Sequence, residues 1–161
     1  MTTKSTSVTP TTNQEAEGAF KLAGQPALGA SSWAVDNNSS RLTATQLGCE
    51  LSQFTGTEQW YRHGLNKNLL YTDGVKFFAE NGGEQGAYWL LDIIATEYWP
   101  LLKRADFLTV FITVKESSAQ IEVTNGNGCT LRTRAIAYTD LQAGVWKFYL
   151  TDNVLLLPSE Y

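Results

Sequence analysis

The sequence predicts an α+β fold: an antiparallel β-sheet meander covered on one face by a central apolar helix, with a shorter second helix beside it. Three observations carry this. The stretch Ala87 to Leu102, AYWLLDIIATEYWPLL, is too apolar for a surface. Residues 107–157 hold five short runs rich in Val, Ile, Thr, Leu and aromatic residues, and the links between them are short, which favours antiparallel neighbours.

Residues 1–44 come first and read as a polar tail, disordered or loosely docked, because Thr, Ser, Asn, Gln, Gly and Ala dominate without an apolar period. Phe20-Lys21-Leu22 and Trp33-Ala34-Val35 are its two apolar exceptions, each able to pack on the domain or on a partner. Residues 45–161 then form the single α+β domain.

Within it, Leu47, Leu51 and Phe54 fall at i, i+4, i+7, the spacing of a short helix weakened by Gly48. After Thr55-Gly56-Thr57, residues 58–63 read as a strand. Residues 69–72 are a second strand after the Gly64 to Asn68 turn, and the two form a hairpin. Asp73 or Thr72 caps a two-turn helix over residues 74–80, which Asn81-Gly82-Gly83 ends.

On the central helix Ala87, Leu91, Ile94, Tyr98 and Leu101 share one face, widened by Leu90, Ile93 and Ala95. Asp92 and Thr96 make the opposite polar strip, with Tyr88, Trp89 and Trp99 on its margins. Pro100 restricts Trp99, so the helix should stop near Tyr98. Sixteen residues carrying two carboxylates are too few to span a bilayer. The remaining strands come at 107–114, 119–123, 130–139, 145–150 and 154–157, separated by turn signals such as Asn125-Gly126-Asn127-Gly128 and Thr151-Asp152-Asn153.

Certain pieces, taken together, resemble a family known as a domain of unknown function, found in proteins of bacterial plasmids, phages and genomic islands. They are Leu51-Ser-Gln-Phe54-Thr-Gly56-Thr-Glu with His63 following, Tyr71-Thr72-Asp73-Gly74-Val75, Tyr88-Trp89-Leu90-Leu91-Asp92-Ile93-Ile94, Tyr138-Thr139-Asp140 and Leu155-Leu156-Leu157-Pro158-Ser159-Glu160-Tyr161. The resemblance covers about residues 47–161. It implies a stand-alone accessory protein and brings no activity, cofactor or catalytic residue.

Charge narrows the function classes. The net charge of -4 and pI near 5.0 argue against a general nucleic-acid binder. Residues 1–44 balance at three basic and three acidic side chains, so the deficit belongs to the remainder, with nine against thirteen. Cys49 and Cys129, with no metal-type spacing, are expected as reduced, mostly buried thiols. No signal peptide precedes the domain, which predicts a cytoplasmic protein, and no metal or cofactor is expected.

Two Asp carboxylates, Asp73 and Asp140, end repeated Tyr-Thr-Asp triplets. They would either converge as an acid/base or metal pair or cap the backbone just beyond each strand. His63, the only histidine, would serve a small hydrolase only with Asp73 or with Cys49 as nucleophile; otherwise it is a hydrogen-bonded strand-end residue. Tyr88, Trp89, Asp92, Thr96 and Trp99 read as an aromatic-rimmed binding strip, or else as core with Asp92 accepting a buried bond. Leu155 to Tyr161 is expected to be pinned, on its own domain or in a partner. The leading expectation is a non-enzymatic binding or regulatory accessory protein of a mobile element, acting through a protein partner or as a homo-oligomer. The alternatives are the small hydrolase and a weak single-strand nucleic-acid binder stacking bases on Trp60, Tyr61 or Trp146 near Arg132 and Arg134.

Overall fold

A computed structural model describes residues 41–161. The tail expected over residues 1–44, with Phe20 and Trp33, lies outside that range except for its last four residues.

Helix α1 (Ala44–Leu51) starts at Thr43, whose hydroxyl accepts from Gln46 N while Gln46 Oε1 accepts from Thr43 N, a reciprocal cap. It buries Leu47 and Leu51. Cys49 falls between those two positions and faces away, and Cys129 sits in a turn, so both thiols are exposed rather than buried. Strands β1 (Tyr61–Arg62) and β2 (Leu70–Tyr71) form the expected hairpin, Tyr61 opposite Tyr71. They are only two residues each, because the N–H groups of Glu58 and Gln59, which would have extended β1, go to the Asp73 carboxylate instead.

Helix α2 (Asp73–Asn81) comes next, with Thr72 at the N-cap position but no cap bond from its side chain. The cap comes from the far end of the chain. Glu160 Oε1 accepts from Gly74 N at 3.0 Å, and Oε2 from the Thr72 hydroxyl at 2.5 Å and Leu157 N at 3.0 Å. The last residues are therefore pinned on their own fold. Phe78 of α2 meets Phe148 edge-on at 4.9 Å and Trp146 at 5.6 Å.

The central apolar stretch is not one helix to Tyr98. It is α3 (Tyr88–Ile93), a π-helical turn (Ile94–Tyr98) and a 3₁₀ turn (Trp99–Lys103). Trp99 N–H reaches back five residues to Ile94 C=O. The Thr96 hydroxyl takes the Asp92 carbonyl at 2.7 Å, and Pro100 has no N–H to continue an α ladder. Each π turn admits one extra residue, so everything after it is rotated by about 100° from a uniform helical wheel.

Among the described residues the sheet has seven strands in the order β1-β2-β7-β6-β3-β4-β5, with β3 (Phe107–Lys115), β4 (Ser118–Asn125), β5 (Thr130–Ile136), β6 (Gly144–Thr151) and β7 (Val154–Leu156). All pairs are antiparallel except β2 with β7, so the sheet is mostly antiparallel but not a simple meander. β3, β4 and β5 meander as expected. β6 then returns to the other side of β3 rather than beside β5. Burial explains the choice: β6 brings Trp146, Phe148 and Leu150 to the middle of the sheet, whereas β5 carries Arg132, Thr133 and Arg134 and takes the edge. One core cluster joins Val75 and Phe78 of α2, Leu90, Leu91, Ile94 and Tyr98, and the alternate residues Val110, Ile112, Ile121, Val123 and Phe148 of the strands.

Candidate functional site

Asp73 stands at the start of α2, where both of its oxygens are engaged. Oδ2 accepts from the Thr57 hydroxyl at 2.8 Å, Glu58 N at 2.8 Å and Gln59 N at 3.1 Å, and Oδ1 from the Tyr61 hydroxyl at 2.9 Å. Burial pushes this carboxyl up, but those four donors outweigh it and hold it at about 2. The same bond raises Tyr61, and the Glu80 carboxylate, 2.5 Å from Lys76 Nζ, raises that lysine. These groups line a cleft of about 760 Å³ between the loop at 53–59 and α2, floored by the Phe54 and Phe77 rings 5.4 Å apart. The Asp73 carboxyl moves down and the Tyr61 hydroxyl and Lys76 amine move up, each away from pH 7, the reverse of what a general acid or base requires.

His63 comes directly after β1 and is buried. Its Nδ1 accepts from Leu65 N and Asn66 N, both at 3.2 Å, which puts the neutral ring's proton on Nε2, 3.1 Å from Asp92 Oδ1. Both ring nitrogens are thus used inside the fold. His63 makes no bond to Asp73 or to Cys49, which sits exposed on α1. The dyad with Asp92 ties the β1–β2 turn to α3, and Asn66 adds a bond to Ala95 C=O at 3.1 Å.

The two Tyr-Thr-Asp triplets do not converge. Asp73 opens α2, while Asp140 serves the loop beyond its other end, with Oδ2 accepting from Glu84 N at 2.6 Å and its own carbonyl accepting from the Arg41 guanidinium. The Glu84 N–H is the main reason the Asp140 carboxyl lies below its ordinary value. Gly83 permits this approach: its φ is +76°, and a Cβ there would meet the Asp140 carboxyl at 2.7 Å. Among the described residues no group of three His, Cys, Asp or Glu side chains could hold a metal.

The aromatic strip splits. Trp99, rotated by the π turn, points Nε1 at Asn153 Oδ1, 2.9 Å away in the β6–β7 turn, and Thr96 bonds backbone. Tyr88 and Trp89 instead line a second cleft, of about 400 Å³, with Glu84, Gln85, Gly86, Tyr138 and Asp140. Tyr138 is 76% exposed and Tyr88 42%. Sequence reasoning missed Tyr138 as a partner of Tyr88, because the alternation over 130–139 puts it inside a strand, whereas β5 ends at Ile136. It also missed Glu160 and Asn153, whose contacts join residues far apart in the chain. Of the residues considered for base stacking, Trp60 is exposed, Trp146 is buried with Nε1 on Gln142 C=O, Tyr61 is bonded to Asp73, and Arg134 is paired with Glu97.

No helix among the described residues is long and apolar enough to cross a membrane. No curated protein and no solved structure matches the chain. A family model does match, over residues 45–161, and the chain belongs to that family of unknown function, DUF6876.

Proposed function

We propose that this is a non-enzymatic binding protein, and that the cleft of Tyr88, Trp89 and Tyr138 is the surface that holds a protein partner. The observation that carries the reading is the exposure of Tyr138 and Tyr88 around a cleft in which Asp140 and the Glu84 N–H are already fixed to each other. Rigid tyrosines with two rotatable bonds give contact area at low entropic cost, the composition of an interface hot spot. Asp92, Thr96 and Trp99 belong to this reading as the frame that holds α3 in place rather than as contacts. His63, Asp73 and Asp140 are equally structural, so no hydrolase is invoked.

The reading takes residues 45–161 as one domain in which the segment from Tyr88 to Lys103 covers one face of the sheet. Support comes from the shared core cluster and from the Glu97–Arg134 pair between that segment and β5. The link to mobile elements rests on the sequence resemblance.

The test is a photo-crosslinking amino acid placed at position 138 in the native host, with the exposed Val145 as control site. A discrete adduct at 138, absent at 145 and lost when Trp89→Ala is added, supports the cleft. Equal labelling at both sites, or none at 138, refutes it.

A further inference from the structure

We infer that the free edge of β5 is a docking edge for an extended, acidic segment of a protein partner. This rests on residues outside the aromatic cleft and stands without it. β4 pairs with β5 on one side, through Ala119↔Ile136, Ile121↔Arg134 and Val123↔Arg132, and among the described residues no strand lies on the other. Along β5, Thr130, Leu131, Arg132, Thr133 and Ala135 are exposed. Every second residue of an edge strand turns its N–H and C=O outward, so this edge presents a ready row of backbone donors and acceptors. The opposite edge, β1, has two residues and no such capacity.

Side-chain chemistry selects the occupant. Arg132, Arg134 and Ile136 stand on the same face as the core residues Ile121 and Val123 that they pair with or adjoin. Arg134 holds Glu97, and Arg132 makes no ion pair among the described residues. In the core on this side the Tyr98 hydroxyl is buried without a hydrogen-bond partner. With Glu97 taken by Arg134, the Arg132 guanidinium is left without a carboxylate among the described residues. A strand laid against it sets alternate side chains beside Arg132 and Arg134, where carboxylates gain and cations lose. A second copy is opposed: antiparallel pairing centred on Thr133 places Arg132 of one chain opposite Arg134 of the other, and like charges directly opposite are destabilising. Arginines on this face thus disfavour that self-pairing and favour an acidic strand.

The experiment uses the full chain and a fluorescein-labelled nine-residue peptide alternating Val and Glu, with a Val and Lys peptide as control. Anisotropy measures affinity, and amide hydrogen exchange reports on β5. The acidic peptide is expected to bind and to slow exchange across Thr130–Ile136, Arg132→Glu to weaken it by about tenfold or more, and Arg132→Gln to weaken it less. Near-UV circular dichroism establishes that both variants are folded. The proposal is overturned by equal binding of the two peptides, by unchanged affinity in Arg132→Glu, or by no protection in β5. Protection in the free chain that grows with protein concentration also overturns it, by giving the edge to a second copy.

Discussion

Replacing Glu160 by alanine removes the one carboxylate that joins the end of the chain to the start of α2. Three donors lose their acceptor together: Gly74 N, the Thr72 hydroxyl and Leu157 N. Hydrogen bonds to a charged group contribute about 1.5–3 kcal/mol each when probed singly. Three that share one partly exposed carboxylate overlap, so the expected loss is about 2–4 kcal/mol in total. For a domain of this size that lowers the thermal midpoint by roughly 6–15 °C. The assay is thermal unfolding by circular dichroism on wild type, Glu160→Ala and Glu160→Gln. The glutamine keeps a carbonyl oxygen for Gly74 but turns an NH₂ toward Leu157 N–H, so it should fall between the other two. A Glu160→Ala midpoint within the scatter of ordinary surface substitutions, about 0.5 kcal/mol, would refute the cap.

Other consequences can be measured in the same way. Asp73 has its carboxyl held at about 2 against 3.8 when unfolded, so its contribution is complete above about pH 5 and is lost as pH falls toward 2. At one pKa unit per 1.36 kcal/mol, and discounted for solvent access, it amounts to about 1–2 kcal/mol. Urea midpoints of wild type and Asp73→Asn should therefore approach each other between about pH 5 and 2, and a constant gap contradicts the four-donor account. Phe78→Ala opens a cavity against Phe148 and Trp146 and should cost about 3–5 kcal/mol in urea unfolding. Gly83→Ala forces a Cβ into the Asp140 carboxyl at positive φ and should cost about 1–3 kcal/mol, while Gly48→Ala, with open space around it, should not destabilise.

Local pattern carries much of the fold. The alternation in β3, β4 and β6 places Val110, Ile121 and Phe148 in the core, and the Leu47 and Leu51 spacing places α1. The pairing order is not legible, because which strand neighbours β3 depends on how much apolar surface β5 and β6 each bring, a comparison between strands rather than a signal within one. The π turn is hidden for a related reason. A wheel drawn at constant pitch assumes that every N–H finds the carbonyl four residues back, and Thr96 and Pro100 together break that assumption. Hence the wheel groups Trp99 with Tyr88 and Trp89, whereas its indole belongs to Asn153. The bonds that engage the candidate residues are long-range: Asp92 with His63, Asp73 with Glu58, and Asp140 with Glu84 are separated in sequence, so each residue looks free until its partner is placed.

Residues that hold the fold and residues proposed to face a partner should respond differently to truncation. One paired measurement tests this directly: crosslinking yield from position 88, together with the urea midpoint, for Tyr138→Ala and for His63→Ala. The account predicts that Tyr138→Ala keeps its midpoint within about 0.5 kcal/mol and loses the adduct, as a surface contact should. It predicts that His63→Ala loses about 2–3 kcal/mol, because Asp92 and two backbone N–H groups are left without their partner. An adduct that persists in Tyr138→Ala, or a midpoint that collapses with it, would contradict the account.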